Sequence, residues 1–173
     1  LKRARSIEEL IPWLYLKRVS TGDYQEALAA LLGDQAKGLS ANTVSRLKKQ
    51  WEAEHAEWQK RGLSEQRYVY WWADGVYSNV RMDDRLCLLV IIGVTEQGRK
   101  ELVAVEDGFR ESADSWKTLL TGLRERGLTQ APKLAVGDGA MGFWAALSKI
   151  YPETDHQRCW VHKTANVLNK LPK

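Results

Sequence analysis

The hydrophobic rhythm of this 173-residue chain changes once, near Ser64, and that change narrows the folds open to it. From Ser6 to about Gly62 apolar residues recur at helical spacing: Ile7, Leu10, Ile11 and Leu14, then Ala27, Leu28, Leu31 and Leu32, then Val44, Leu47 and Trp51. Such spacing gathers them on one side of a helix. Gly33 and Gly38 punctuate the pattern, and Ser40 stands where an N-cap belongs, ahead of Thr43–Trp51. A helix, a short turn and a second helix are expected. After Gly62 the runs are short and of β type, Tyr68–Ala73, Leu86–Thr95 and Glu101–Val105, each bounded by Gly or Asp.

Ser112–Arg126 then predicts an amphipathic helix with Trp116, Leu119, Leu120 and Leu123 on one face, ended by Gly127. Leu134–Val136 reads as a short buried strand, and Phe143–Ile150 as a helix stopped before Pro152. Thr154–Val161 reads as a further strand, with a helix starting near Lys163. Three strands, helix, strand, helix, strand, helix is the order of a mixed α/β sheet: an antiparallel meander followed by crossover units. Two regions are expected, a helical one over 1–64 and an α/β one over 65–173.

Composition sets the outer limits. At 44% hydrophobic residues the chain can bury a real core, and no run approaches the roughly 18 apolar residues of a membrane span. A net charge of +4 suits a polyanionic partner without requiring one. Cys87 and Cys159 are the only cysteines, too few for a disulfide framework, which points to a reducing, cytoplasmic setting. Leu1 is not an initiator methionine, and the chain reads as a segment of a longer protein.

Two aspartates stand at the downstream ends of apolar runs: Asp74 in Tyr68-Val-Tyr-Trp-Trp-Ala-Asp-Gly75, and Asp138 in Lys133-Leu-Ala-Val-Gly-Asp-Gly139. Strands that deliver carboxylates to one edge of a sheet build sites for hard divalent cations, which take oxygen ligands and serve phosphoryl transfer. Asp-Gly is also a strong turn signal, so each aspartate alone fits a turn or cap as well. The apolar flanks favour buried strands. In a mixed sheet of this order the two strands can be neighbours, and their carboxylates would converge.

Soon afterwards comes His156-Gln-Arg-Cys-Trp-Val-His162. Cys159 and His162 have the spacing of half a zinc site, with His156 as a third candidate, but a closed site needs four ligands and only the distant Cys87 and His55 remain. A packed Cys and His beside Trp160, or a His162 that faces a substrate phosphate, are the other readings. In the helical half, Asn42, Ser45, Arg46, Lys48 and Lys49 mix base-reading and phosphate-binding side chains, as in a helix-turn-helix docked on DNA. A solvated face explains them equally well, and Glu52, Glu54 and Glu57 would repel a duplex further along. Arg158, Lys163, Lys170 and Lys173 form a second basic stretch with no acidic residue from His156 onward.

Taken together, Trp72-Ala-Asp-Gly-Val-Tyr77, Ala135-Val-Gly-Asp-Gly-Ala-Met-Gly-Phe-Trp144 and His156–Pro172 resemble the Mutator-like transposases of bacterial insertion sequences. The resemblance covers most of Gly22–Lys173. It implies a ribonuclease-H-like catalytic core with an Asp, Asp, Glu triad and a Cys-x-x-His signature between the second Asp and the Glu. Asp74 and Asp138 would be the first two acids and metal ligands, and Cys159 with His162 the signature pair. It further implies two magnesium or manganese ions, double-stranded DNA as substrate (element terminal repeats and target), action as a homo-oligomer, and a bacterial cytoplasmic, nucleoid-associated location. The glutamate has no match here, and Glu106, Glu111 and Glu153 precede the signature. The core is therefore expected to be incomplete within residues 1–173 and the isolated segment inactive. Two other functions fit parts of the pattern: a helix-turn-helix regulator with a non-catalytic α/β half, and a ribonuclease-H-like nuclease.

Overall fold

The structure, a computed structural model, describes residues 41–79, 85–108, 112–139 and 141–170. The chain divides into two compact units, Leu1–Gln59 and Lys60–Lys173. The helices expected before residue 41, and the Ser40 cap, lie outside the described residues. In the first unit the described element is helix α1, Ala41–Lys60, which starts where the pattern predicts and runs on past Trp51. Leu47 is buried and Trp51 half-buried, while Asn42, Ser45, Arg46, Lys48 and Lys49 are exposed. Lys48 lies 3.7 Å from Glu52 one turn on, an exposed pair of the kind that adds little stability.

The second unit holds strands β1 (Tyr68–Asn79), β2 (Arg85–Thr95) and β3 (Lys100–Gly108), helix α2 (Ala113–Glu125), β4 (Leu134–Gly137), α3 (Met141–Ile150), β5 (Asp155–Arg158) and α4 (Trp160–Leu168). This is the expected element order. The five strands form one sheet in the order β3-β2-β1-β4-β5. β1, β2 and β3 are antiparallel to one another, and β4 and β5 join parallel to β1.

Alternation along β1 decides which side is packed. Trp71 and Ala73 are buried, whereas Tyr70, Trp72 and Asp74 are exposed, so a period of two sends one set to each face. The buried face meets Leu89, Ile91 and Ala104 of the sheet, Trp116, Leu119, Leu120 and Leu123 of α2, and Phe143, Ala146 and Leu147 of α3 in one core cluster. Ser112 caps α2, its hydroxyl accepting from the Ser115 N–H at 3.1 Å, so the helix starts where its apolar stripe can meet the sheet. Trp71 meets Tyr151 edge-on with centroids 5.2 Å apart, and Trp116 meets Phe143 at 4.9 Å. The Tyr151 hydroxyl donates to the Leu128 carbonyl at 2.7 Å, and burial pushes its ionisation up to about 12.

Three expectations need correction. β1 does not end at Ala73: Asp74 pairs with Val90 and Gly75 with Leu89, and pairing continues to Asn79 opposite Arg85. Asp74 is thus a mid-strand residue, because the β2 ladder continues past it. β5 is only Asp155–Arg158, shorter than the expected Thr154–Val161, and α4 begins at Trp160 rather than near Lys163.

Gly93 shows how tightly β2 fits. A Cβ there would come within 2.5 Å of Tyr68 Cδ1 and 2.7 Å of Val103 Cγ2. Gly93→Ala should therefore destabilise the unit by about 1–3 kcal/mol. Gly122→Ala, inside α2 with nothing within 4 Å of the added methyl, should instead stabilise by about 0.5–1 kcal/mol. Urea unfolding of the two variants checks both signs, and a neutral Gly93→Ala would contradict this packing.

Candidate active site

Residues 70–73 of β1 lie opposite residues 134–137 of β4, with Trp72 beside Val136 and Ala73 beside Gly137. The next residue on each strand is an aspartate: Asp74 on β1 and Asp138 just past β4. Neighbouring strands lie about 4.8 Å apart, and in-register parallel residues share a face. Asp74 sits on the face of Tyr70 and Trp72, away from α2 and α3, and is exposed, while Asp138 is half-buried. A carboxylate on β1 and another one residue past the end of β4 are oxygen donors of the kind a hard divalent cation takes, a chemistry that fits magnesium or manganese.

The loop after β4 is held from three directions. Trp144, in the first turn of α3, donates its indole N–H to the Asp138 carbonyl at 3.0 Å. The Gly139 N–H donates to the Asp138 carboxylate. On the far side β5 runs parallel to β4 with Gly137 opposite Arg158, and the Cys159 N–H donates to the Gly137 carbonyl at 2.7 Å. Gly137 itself faces α3, where an added Cβ would lie 3.2 Å from Trp144 and 3.3 Å from Phe143.

That last backbone bond places the Cys-x-x-His element beside Asp138. Cys159 is the N-cap residue of α4, its carbonyl accepts from the Lys163 N–H at 3.0 Å, and its thiol is free. His162 is half-buried, and its Nδ1 is shielded from water without a hydrogen-bond partner among the described residues. His156 packs against Trp144 at 4.8 Å, so it belongs to the side of β5 that faces α3. Arg158 and Lys163 are exposed.

Of the glutamates weighed from the sequence, Glu106 lies level with Gly75 across β2, one residue out of step with Asp74 and on the opposite face. Its charge acts on Arg126 instead. Glu153 lies in the exposed turn before β5, at the end of that strand away from Arg158, and Glu111 falls outside the described residues. Among the described residues no three His, Cys, Asp or Glu side chains stand close enough to hold a metal ion together.

The family model described as "Transposase, Mutator family" matches residues 1–173. This chain belongs to the Mutator family of transposases. It is 52% identical over 168 residues to the transposase of insertion sequence element IS6120 from Mycolicibacterium smegmatis, covering 96% of this chain and 51% of that protein. It is 58% identical over 156 residues to the transposase of element IST2 from Acidithiobacillus ferrooxidans, covering 86% of this chain and 51% of that one. The chain spans about half the length of these relatives. A solved structure of the HTLV-2 integrase catalytic core domain in complex with magnesium aligns with 64% of this chain and 72% of its own, at 19% identity and a TM-score of 0.38. That alignment is loose, and the fold of this Mutator-family chain rests on its own strand order: the ribonuclease-H-like mixed sheet its motifs imply.

Two residues of this Mutator-family site carried no signal in the sequence reading. Trp144 stands in the sequence only as the end of a motif, and nothing in its spacing reveals the bond to the Asp138 carbonyl six residues back. Gly139 was legible as a turn residue, but the side chain that lies over it comes from β5.

Among the described residues the pair Cys159 and His162 has no further partners close enough to close a four-ligand site. Chelator-treated, purified chain should contain no stoichiometric zinc by elemental analysis. Zinc at one equivalent that disappears in Cys159→Ala would overturn this.

Proposed function

We propose that this chain carries two of the metal-binding acids of a DNA transposase that cuts the ends of an insertion element and joins them to a target. The observation that supports this reading is the β1–β4 register, whose last pair, Ala73 and Gly137, immediately precedes Asp74 and Asp138. Structural Asp-Gly turns have no reason to fall level on neighbouring strands, and Asp74-Gly75 is no turn at all.

Asp74 and Asp138 would hold the ions through carboxylate oxygens. A pair of magnesium or manganese ions, when bound, would activate the attacking oxygen and stabilise the leaving one in an in-line displacement. The protein then needs no covalent nucleophile. Its own contribution is placement: Asp74 would be fixed by its pairing with Val90 of β2, one residue past the last β1–β4 pair, and Asp138 by Trp144 and the Gly139 amide. The third acid of the Asp, Asp, Glu set has no match in residues 1–173, so we assign it to sequence outside them and expect this segment alone to bind DNA without cutting it.

Exposed Asn42, Ser45, Arg46, Lys48 and Lys49 on α1 would contact duplex DNA, with Arg158 and Lys163 as a second group of phosphate contacts. DNA ends and target must be held together for joining, which favours a homo-oligomer working at the bacterial nucleoid in the cytoplasm. Among the described residues no helix is long and apolar enough to cross a membrane.

In a full-length transposase containing this chain, Asp74→Asn or Asp138→Asn should lower strand cleavage by about a thousandfold or more, since each removes charge stabilisation of about 4 kcal/mol. Affinity for the element's ends should stay within about threefold, because the amide keeps the shape. Cleavage near the wild-type rate in either variant would reject the assignment, and joint loss of binding and cleavage would mark the aspartates as structural.

A further inference from the structure

We propose that Arg158, whose guanidinium lies over Gly139 next to Asp138, is the side chain that receives a DNA phosphodiester there, in a seat left open by the absence of a side chain at Gly139. This rests on the metal-site reading above and goes beyond a general basic patch by placing one cation at one point of the site.

Several observations converge on Arg158. It is the last residue of β5, opposite Gly137 in the ladder, one position before Asp138. The Cys159 N–H to Gly137 carbonyl bond at 2.7 Å fixes its backbone on the downstream side. Two residues upstream, His156 lies against Trp144, the same indole that donates to the Asp138 carbonyl. From that position the Arg158 side chain folds over the loop. A Cβ built on Gly139 would collide first with Arg158 Nη2, with Cζ next at 2.9 Å and Nε at 3.3 Å. The guanidinium therefore occupies the space that any other residue at 139 would fill.

The charge pattern gives this placement its use. A phosphodiester approaching two neighbouring carboxylates is repelled unless cations offset them, and a planar guanidinium with forked donors matches phosphate oxygens better than an ammonium does. No hydrogen bond or ion pair within the described residues engages the Arg158 guanidinium, and the residue is exposed, so its donors remain available to a ligand. An arginine serving only to brace the loop would be expected to spend those donors on loop carbonyls, as Arg61 does on the carbonyls of Leu102 and Val103 at 2.9 Å.

Two variants separate the possibilities. Arg158→Gln removes the charge. Gly139→Ala keeps it but pushes the guanidinium off its seat, a cheap displacement because the colliding atoms end a flexible arm. Binding of a short fluorescently labelled DNA duplex to this chain is measured by anisotropy in magnesium over a range of salt concentrations, with thermal melts confirming that each variant is folded. Arg158→Gln should weaken binding about tenfold and reduce the salt slope by about one, the signature of one lost phosphate contact. Gly139→Ala should reproduce most of this loss, and Arg158→Lys should recover part of it. In an Asp138→Asn background, where the ion no longer holds the phosphate beside Arg158, the effect of Arg158→Gln should shrink below about twofold. An unchanged slope in Arg158→Gln overturns the inference alone. So does an effect equal in both backgrounds, since Arg158 would then meet phosphate elsewhere. If the increment in affinity that magnesium adds is kept in full by Asp138→Asn, whatever the affinity without metal, the carboxylate reading fails and this inference fails with it.

Discussion

The parallel pairing of β4 against β1 is the constraint on which the rest of the site depends. Ala73 beside Gly137 is a backbone relationship, set by hydrogen bonds and by which side chains face α2 and α3, and a slip of one residue would turn every β4 side chain to the other face. Leu134 and Val136 would then turn into the helices, and Asp138 would leave the face of Asp74. The core resists such a slip because Ala135 is fully buried beside Trp71 and Gly137 lies close under Trp144 and Phe143. Packing on one face of the sheet therefore fixes which residues the other face presents.

Rigidity is divided unequally between the two acids. Asp74 lies within β1 and pairs with Val90 of β2, whereas Asp138 stands at the point where the chain leaves the sheet for α3. Its position relies on local bonds, from the Trp144 indole to its carbonyl and from the Gly139 amide to its carboxylate. The Cys-x-x-His element adds a third tie through Gly137. This explains in physical terms why a signature some twenty residues downstream in sequence belongs to the same site: β5 and α4 buttress the loop that carries the second aspartate.

Much of the fold was legible in the sequence because periodicity reports packing directly. The stripe of Trp116, Leu119, Leu120 and Leu123 is the face of α2 that is buried, and the β-type runs became β1, β2 and β3. The misreadings have local causes. Asp74-Gly75 looks like a turn to any rule that sees two residues, and only the continuing ladder to β2 shows otherwise. Trp160 and Val161 extended the apparent β5 run, yet both are exposed on α4, at 72% and 75%, because an apolar residue at a helix start and one in an edge strand are alike in sequence. Arg158 was legible as a basic residue and as nothing more, since its seat over Gly139 depends on how β5 lies beside β4.

The central claim is that Asp74 and Asp138 form one cation site, and a crystal structure of this chain soaked in manganese tests it most directly. Anomalous scattering locates the ion without reliance on activity or on sequence outside residues 1–173. The account requires a manganese peak contacting carboxylate oxygens of both aspartates at about 2.0–2.3 Å, lost in Asp74→Asn. No peak at this pair, or carboxylates held more than about 10 Å apart and so unable to share the ions of a two-metal site, would contradict it.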